Sequence, residues 1–363
     1  MGELLTFCAG ADWKVLPGSR VNALLINVPH NGATPALIEE SRRLVRESRA
    51  RTVMLDSGGY QLLKAEETGK ALTFDPGSPI EQNKTAFNLA PEHVVEVARK
   101  IGPDILIALD FPLGRIADPA LREAEFERKV RLNAQWAAET AALRAKSCPE
   151  IGFLVPIQCY SPDHLEKVLA FLGGIDFDGF SFPVRKAKPS GIARFLVRFY
   201  RFGITRVHLL GTASFSMIIL AAYMARHLFE WVSFDATTWQ HTARNGRYLN
   251  PFDLSEEPLR SDVLVDGSIR NDCPCPWCAD RSFTHIKNLP YPEKLSFLRC
   301  HNFWVTENFA KGIYECSQDL VTLGTFLRLR SKKTKAIDEV LRILALVDLL
   351  KDSHIRELEL LLA

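Results

Sequence analysis

Four polar side chains stand where apolar runs of the sequence end. Asp56, Asp110, Gln158 and Asp235 each end or follow a short run rich in Val, Ile, Leu and Phe. Carboxylates can attack carbon or carry protons, and a carboxamide can recognise a polar ligand. Each of these residues alone could instead cap a loop or a helix. Four such residues at four predicted strand ends favour a site over four separate caps.

The stretch DSGGYQ, residues 56–61, joins one of these acids to two glycines and an aromatic residue. By itself it is a tight turn after a strand, in which Asp56 is a turn residue or a helix N-cap. It is also a flat floor for a ligand, because Gly58 and Gly59 place no side chain in the space above them. The same two glycines can form the turn and the floor at once.

Three cysteines within six residues form a second group. Cys273, Cys275 and Cys278 lie in the Pro- and Cys-rich stretch NDCPCPWCADRS. Structural Zn²⁺ takes four thiolates, or three thiolates and one imidazole, in a tetrahedral site. The spacing therefore predicts a structural zinc site over a chance cluster of free thiols. The fourth ligand stays open at this point, and the candidates are His301, Cys300 and His285.

The composition is that of a soluble globular protein with a large core. The 363 residues are 47% hydrophobic and 24% charged, and the formal net charge is +2. This small net charge does not by itself indicate a protein that binds nucleic acid, so such binding would depend on local basic clusters. The sequence shows no signal peptide and no apolar stretch of the ~20 residues that a membrane helix needs. Together with cysteines that suit a reducing compartment, this predicts a cytoplasmic protein without membrane contact.

Short apolar runs alternate with amphipathic patterns along the first part of the chain. The predicted strands are 21–28, 52–56, 104–110, 152–158, 177–184, 206–212 and 231–237, with 262–268 as a further candidate. The predicted helices are 34–48, 90–101, 118–146, 161–172, 190–202 and 213–229. Repeated strand–helix units predict a parallel sheet. Seven or eight units without an opening GxGxxG favour a closed α/β barrel of the (β/α)8 (TIM) type, whose functional residues lie at the C-terminal strand ends.

The pattern changes after about residue 270. The sequence predicts a barrel core over 1–270, a zinc-binding subdomain over 271–312 and a C-terminal helical segment over 313–363. Helical patterns in the later part cover 294–312, 315–330 and 333–362. The last of them is apolar along one face, which predicts packing on the barrel first and formation of a homodimer second.

Three motifs resemble the tRNA-guanine transglycosylase family. They are DSGGYQ at 56–61, FDATTWQHTARNG at 234–246, and CxCx2C followed by HN at 301–302. Members of that family are (β/α)8 barrels with a zinc subdomain, and they exchange guanine in a nucleic acid for a 7-deazaguanine base. The similarity runs from about residue 20 to about residue 312, in the family's order. It implies a pentosyltransferase with structural Zn²⁺.

The resemblance also implies roles for the matching residues. Asp235 is the expected nucleophile, Asp56 the expected general acid/base, and His301 the expected fourth metal ligand. The expected base pocket comprises Ser57, Gly58, Gly59, Tyr60, Asp110, Gln158, Phe182 and Leu210. Two contexts depart from the family: Asp110 stands where the family has Asp-Glu-Cys, and Gln158 where it has Gln-Gly-Gly.

Base exchange suits this set of residues. A carboxylate that attacks C1′ forms a covalent glycosyl-enzyme, and the incoming base displaces it from the opposite face. Asp235 is the ionised group that this step needs, and Asp56 can pass protons between the departing and the arriving base. On a guanine-like edge, Asp110 can accept from N1–H and the exocyclic amine, while Gln158 can donate to O6.

Departures from the family motifs bear on the substrate. FSFPVRK at 180–186 replaces a loop whose glutamate helps bacterial tRNA enzymes to bind an aminomethyl group, and Lys186 takes the place of that glutamate. Lysine would repel an amine, so we expect a base without one, such as the nitrile preQ0. The sequence contains no counterpart of the RNA-binding module of archaeal members, and WQHTARNG differs from the usual PTRNARNG. These features favour the DNA-modifying branch, which must flip guanine out of a duplex, with tRNA as the alternative substrate.

Basic residues could hold the phosphates of either nucleic acid. The candidates are Arg185, Lys186, Arg244 and Arg247, and the run RLRSKKTK at 328–335 is as readily a solvated face. A homodimer or accessory proteins are possible further partners.

Two other functional classes fit the sequence less well. A non-catalytic partner subunit of such an enzyme would lack an aspartate, whereas Asp56 and Asp235 are both present. A metal-dependent hydrolase is disfavoured because the histidines form neither HxH nor HExxH.

Overall fold

Eight strands form a closed barrel in chain order. The computed structural model describes residues 4–10, 21–28, 34–68, 89–184, 187–259, 273–279, 281–351 and 362. The barrel strands are β1 (Leu5–Gly10), β2 (Ala23–Asn27), β3 (Thr52–Asp56), β4 (Ile105–Ile107), β5 (Gly152–Pro156), β6 (Gly179–Pro183), β7 (Arg206–Leu210) and β8 (Trp231–Asp235). An antiparallel pair follows, β9 (Arg247–Leu249) and β10 (Glu256–Pro258). The predicted (β/α)8 barrel is confirmed.

Twelve helices occur in the described part of the chain. They are α1 (Pro35–Ser48), α2 (Tyr60–Glu67), α3 (Pro91–Ile101), α4 (Pro119–Ser147), α5 (His164–Phe171), α6 (Pro189–Arg201), α7 (Phe215–His227), α8 (Thr238–Arg244), α9 (Phe283–Asn288), α10 (Tyr291–Cys316), α11 (Leu320–Arg330) and α12 (Thr334–Lys351). Five of them have proline in the first turn, where the missing N–H would have no helical partner: α1, α3, α4, α6 and α10. None of the described helices is long and apolar enough to cross a membrane.

The chain divides into two compact units. One comprises Val21–Pro183 with Arg206–His208, and we call it the β2–β6 unit. In this unit β2 to β6 pair in parallel order, for example with Leu106 opposite Phe153. The central residues of these strands are buried whichever way they point, as in β3 and β5. This explains why the predicted strands read as continuous apolar runs rather than alternating ones.

The other unit comprises Met1–Arg20, Val184–Thr205 and Leu209–Ala363, and we call it the β1/β8 unit. Here β1 pairs in parallel with β8, and Cys8 lies opposite Asp235. Strand β1 was not predicted, because LTFCAG is a short run that no helical pattern precedes. This strand completes the eight of the barrel, and the further candidate 262–268 lies outside the described residues. The domain boundaries predicted at residues 270 and 312 stay predictions.

The C-terminal helices differ from their predicted bounds. Helix α10 is continuous through Cys316, so the predicted break near residue 313 is wrong. The break lies after Cys316, where Asp319 accepts a hydrogen bond from the Thr322 N–H at 2.8 Å and so caps α11. Helix α12 is described as far as Lys351, and the rest of the predicted helix to residue 362 lies almost entirely outside the described residues.

Asn302 fastens helix α10 to its neighbours. Its Oδ1 accepts from the Leu249 N–H at 2.9 Å, and its Nδ2 donates to the carbonyl oxygens of Trp239 and Arg247 at 3.2 and 3.1 Å. The side chain is fully buried. Because three backbone groups of α8 and β9 have this one amide as their partner, its loss would leave buried polar groups unpaired.

We expect Asn302→Ala to lower the free energy of unfolding by about 3 kcal/mol, since each unpaired buried group costs about 1–3 kcal/mol. Urea unfolding followed by circular dichroism measures the change. Asn308→Ala is the matched control, because the Asn308 amide, on the same helix, donates to the Trp304 carbonyl and is only partly buried. Equal losses in the two variants would contradict this account.

Candidate active-site residues and metal site

The predicted site residues divide between the two units. In the β2–β6 unit, Asp110 and Gln158 follow the ends of β4 and β5, and each side chain is 7% exposed. Gln158 Nε2 donates to Asp110 Oδ2 at 2.6 Å, and Gln158 Oε1 accepts from the Leu113 N–H at 3.3 Å. A carboxylate can only accept and a backbone N–H can only donate, so both contacts fix the same orientation of the amide. The structure thus brings together two polar residues that the sequence separates by a whole strand–helix unit.

The Gly-Gly turn lies directly against Asp110. A Cβ at Gly59 would overlap the Oδ1 and carbonyl oxygens of Asp110, so only glycine fits there. Gly58 has φ +81°, a left-handed conformation that glycine adopts without strain. The turn predicted from DSGGYQ is therefore present. Gly58 adopts its left-handed backbone conformation, and Gly59 leaves the space that Asp110 occupies.

Helix α2 begins immediately after this turn and was not predicted. Its N-cap is Gly59 and no side chain caps it, so the alternative in which Asp56 is the N-cap is wrong. A short helix without a capping residue gives almost no sequence signal. Tyr60, its first residue, is 50% exposed, which leaves an aromatic surface open to a ligand.

Asp56 is the last residue of β3 and is partly exposed. Its backbone carbonyl accepts from the Val28 N–H at 2.8 Å, which holds the end of the strand in place. Ser57 is fully buried, and its hydroxyl has no hydrogen-bond partner among the described residues. A buried hydroxyl without a partner is costly, so a polar ligand or water that reached it would relieve that cost.

The β1/β8 unit contains Asp235, the last residue of β8. Its Oδ1 accepts from the Gly211 N–H at 2.9 Å, and Gly211 has φ +76° in the turn after β7. Burial and then the charge of Asp235 raise the pKa of the Cys8 thiol well above its usual range. Cys8 is therefore neutral at physiological pH, and the carboxylate is oriented by a backbone amide.

The other predicted pocket residues lie on strands. Phe182 is buried in β6 and belongs to the β2–β6 unit, whereas Leu210 ends β7 and is partly buried in the β1/β8 unit. The carbonyl of Leu210 accepts from the Val184 N–H at 3.1 Å. Both positions fit the rule that functional residues of such barrels follow or end strands.

The predicted phosphate-binding residues have mixed outcomes. Arg244 is exposed in the last turn of α8, while Arg247 pairs with Glu256 at 2.8 Å. Arg185 and Lys186 lie outside the described residues.

The basic run at 328–335 interacts with its own unit. Arg328 pairs with Asp338 at 2.9 Å, Arg330 lies over the Phe252 and Phe326 rings, and Lys333 donates to the Asp253 carbonyl at 2.6 Å. These contacts favour a structural role for those three side chains.

A residue of α4 that was not predicted positions the loop after β4. Asn133 of α4 accepts from the Phe111 N–H at 2.7 Å and donates to the Phe111 carbonyl at 3.2 Å, which fixes the residue next to Asp110. A signal existed, because Asn133 interrupts the apolar face of the predicted helix 118–146.

The cysteine cluster gathers four metal-binding atoms. The Sγ atoms of Cys273, Cys275 and Cys278 and the Nδ1 atom of His301 all lie within 4.8 Å of one another, and all four residues are buried. Nδ1 is 3.6, 3.3 and 3.3 Å from the three sulfurs. A tetrahedral ion with the bond lengths of Zn²⁺ would separate sulfur and nitrogen by about 3.5 Å. The donor set therefore fits such an ion.

A hydrogen bond fixes which nitrogen of His301 faces the sulfurs. Nε2 donates to the Leu249 carbonyl at 2.8 Å, so Nδ1 carries the lone pair that a metal needs. The Tyr248 ring stacks on the imidazole at 3.7 Å and restricts its rotation. Cys300 and His285 do not belong to the cluster, and burial raises the pKa of the Cys300 thiol to about 11. Of the three candidates for the fourth ligand, the geometry selects His301.

Comparison with known proteins adds independent information. A family model described as queuine tRNA-ribosyltransferase matches residues 22–188. A tRNA-guanine(15) transglycosylase of Methanosarcina barkeri is 24% identical over 327 residues, which is 86% of this chain and 59% of the relative. A protein of the same description from Pyrococcus furiosus is 25% identical over 316 residues, or 83% of this chain and 48% of the relative. The chain spans about half the length of the curated relatives it matches.

We expect the purified protein to contain about one metal ion per chain, because the four donors complete a closed tetrahedral set. Cys275→Ser should lose most of that metal and lower the melting temperature. Cys300→Ser is the matched control, since Cys300 is equally buried but lies outside the cluster. Inductively coupled plasma mass spectrometry measures the content. Equal metal content in the two variants would show that the cluster does not hold the ion.

Proposed function

Because the chain belongs to the tRNA-guanine transglycosylase superfamily, we propose that it exchanges a guanine of a nucleic acid for another base of guanine-like shape. The observation that carries the proposal is the buried Asp110–Gln158 pair, held against the side-chain-free backbone of Gly59. The Asp110 carboxylate would repel a phosphate, whereas a planar base with a polar edge fits the pair.

The chemistry of the pair selects guanine over adenine. Asp110 can accept hydrogen bonds from N1–H and the exocyclic amine of guanine. Gln158 has a second N–H, for which the described residues supply no partner, and that N–H can donate to O6. In the same orientation adenine would place its N6 donor against the Gln158 N–H and its N1 acceptor against the Asp110 carboxylate, so both contacts would be lost. Ser57 and Tyr60 are further candidates for contacts with the base.

The proposed reaction uses two carboxylates in two displacements. Asp235 attacks C1′ of the ribose while the bond from C1′ to N9 of guanine breaks, and Asp56 protonates the departing base. The incoming base then gives its proton to Asp56 and displaces the Asp235 carboxylate from C1′. Two inversions restore the original configuration, and each carboxyl group returns to its starting state. The Gly211 N–H holds Oδ1 of Asp235 and limits rotation of the attacking group.

We propose tRNA as the nucleic acid. The matching family model and both curated relatives have tRNA in their descriptions, which favours the alternative of the sequence analysis over its preference for DNA. Duplex DNA stays the second candidate, because FSFPVRK replaces the family's loop and a lysine stands in place of its glutamate. The expectation of preQ0 as the incoming base depends on the same lysine, Lys186, which lies outside the described residues.

We further propose that the ion of the Cys3His cluster is structural Zn²⁺. Cys273, Cys275, Cys278 and His301 would hold it with no open position for water or substrate, so it would stabilise the fold rather than take part in base exchange. The cytoplasmic location, and a homodimer or accessory proteins, stay predictions.

The decisive assay incubates the protein with labelled guanine or labelled preQ0 and either tRNA or duplex DNA. We expect label in tRNA, and we expect Asp235→Ala and Asp56→Ala to reduce its incorporation by at least about a thousandfold, as loss of catalytic groups does. Asp176→Asn, which changes an exposed acid before β6, is the control.

Each outcome of the assay tests a separate part of the proposal. Label in DNA alone would overturn the choice of tRNA, and full activity of either alanine variant would overturn the role assigned to that aspartate. No label in any nucleic acid would refute the exchange itself.

A further inference from the structure

Lys129 of α4 is a cation buried among three oxygen atoms in the β2–β6 unit. Its side chain is 0% exposed. Nζ donates to Glu66 Oε2 at 2.7 Å, to Glu125 Oε1 at 2.7 Å and to the Pro112 carbonyl at 2.9 Å, which uses all three of its N–H groups. It also lies 4.0 Å from the centroid of the Phe111 ring. The ammonium group is therefore held in one position.

The charges around Lys129 balance. Glu66 also accepts from Arg128 Nη2 at 2.6 Å, so two carboxylates face two cations. A buried ion pair gains little over apolar side chains of the same volume, because removing the charges from water costs about as much as their attraction returns. We therefore expect this cluster to fix the positions of the segments it joins rather than to add much to the free energy of unfolding.

The cluster joins three segments of the chain. Glu66 lies on α2, whose first residue follows the Gly-Gly turn, and Pro112 lies in the loop after β4, two residues beyond Asp110. Glu125, on α4, accepts from the Gly114 N–H at 3.1 Å through either carboxylate oxygen. The Tyr160 hydroxyl contacts both the Gly114 carbonyl, at 2.9 Å, and the Glu125 carboxylate. Loop residues 111–114 are thus fixed from two sides.

The same loop sets the orientation of Gln158. The Leu113 N–H, between Pro112 and Gly114, donates to Gln158 Oε1 at 3.3 Å and so turns Nε2 toward Asp110. If the loop moved, the amide could rotate and place its oxygen against the carboxylate, where two acceptors would repel. Gln158 would then have no donor for O6 of guanine.

We propose that Lys129 is a positioning residue for base recognition. It ties α2 and loop residues 111–114 to α4, and thereby keeps the Gly-Gly turn, Asp110 and the Gln158 amide in the arrangement that binds a guanine edge. This inference rests on the proposed function. It assigns to Lys129 an effect on the affinity for the base, and no contact with substrate.

The test compares Lys129→Met with Arg131→Met. Arg131 lies on the same helix, is exposed, and has its guanidinium over the Phe171 ring instead of at the loop. We expect Lys129→Met to raise the KM for free guanine by about tenfold to a hundredfold, since small misplacements of binding groups have effects of that size. The KM for tRNA should rise less, because tRNA is also held by contacts outside the base pocket. A loss of fold alone would lower the active fraction and leave both KM values unchanged.

A double variant tests whether misfolding explains the change in KM. Lys129→Met combined with Glu125→Gln removes one buried carboxylate together with the ammonium group, and the remaining Glu66 keeps its pair with Arg128. A glutamine at position 125 can still accept from the Gly114 N–H. We expect this double variant to fold and to show the same increase in the KM for guanine.

Hydrogen exchange gives a readout that does not depend on activity. In both Lys129 variants the backbone amides of Leu113 and Gly114 should exchange at least about tenfold faster than in Arg131→Met, because the loop that contains them is no longer held by Lys129. If the variants fold and neither the exchange rates nor the KM for guanine differ from the control, Lys129 is not a positioning residue. If the unmodified protein incorporates no guanine, the proposed function fails, while the exchange rates still decide whether Lys129 holds the loop.

Discussion

The missing side chain at Gly59 lets a backbone turn lie against a buried carboxylate. Any Cβ there would overlap the oxygens of Asp110, so the turn, the carboxylate and the Gln158 amide that donates to it can exist together only with glycine at this position. Helix α2 starts from the same turn, and its position is fixed in part by the contact of Glu66 with Lys129. A short-range steric constraint therefore controls the placement of a helix, a loop and two polar side chains.

Buried polar side chains have different partners in the two units. In the β1/β8 unit, the side chains of Asn302 and His301 satisfy backbone groups of the β9 region. In the β2–β6 unit, the Ser57 hydroxyl and one N–H of Gln158 lack partners among the described residues. Buried polar atoms without a partner also occur elsewhere among the described residues, such as Trp239 Nε1 and Ser181 Oγ, so those beside the Gly-Gly turn support a ligand site only together with the Asp110–Gln158 pair.

Much of the barrel and part of the site could be predicted from the sequence. Strands buried on both faces give continuous apolar runs, and the rule that parallel strands end at one edge brought Asp110 and Gln158 together correctly. The spacing of Cys273, Cys275 and Cys278 predicted a cluster that the structure contains. These signals are local or periodic, which is why they can be detected in one sequence.

Other features depend on contacts that no local pattern encodes. Strand β1 is recognised only by its pairing with β8, and α2 has neither a capping residue nor a full amphipathic repeat. The choice of His301 over Cys300 follows from the contacts of its Nδ1 atom with three sulfurs that lie 23 to 28 residues away in sequence. Lys129 meets Glu66 across 63 residues, so its burial was invisible in a helix that otherwise carries many charges.

Trapping the covalent intermediate tests the central claim most directly. The protein is incubated with tRNA, released guanine is removed, and the mixture is denatured before proteolysis and mass spectrometry. The account predicts a protein–RNA adduct that survives denaturation, maps to the peptide containing Asp235 and is absent from Asp235→Ala. An adduct on another residue, or base exchange that proceeds at full rate in Asp235→Ala, would contradict it.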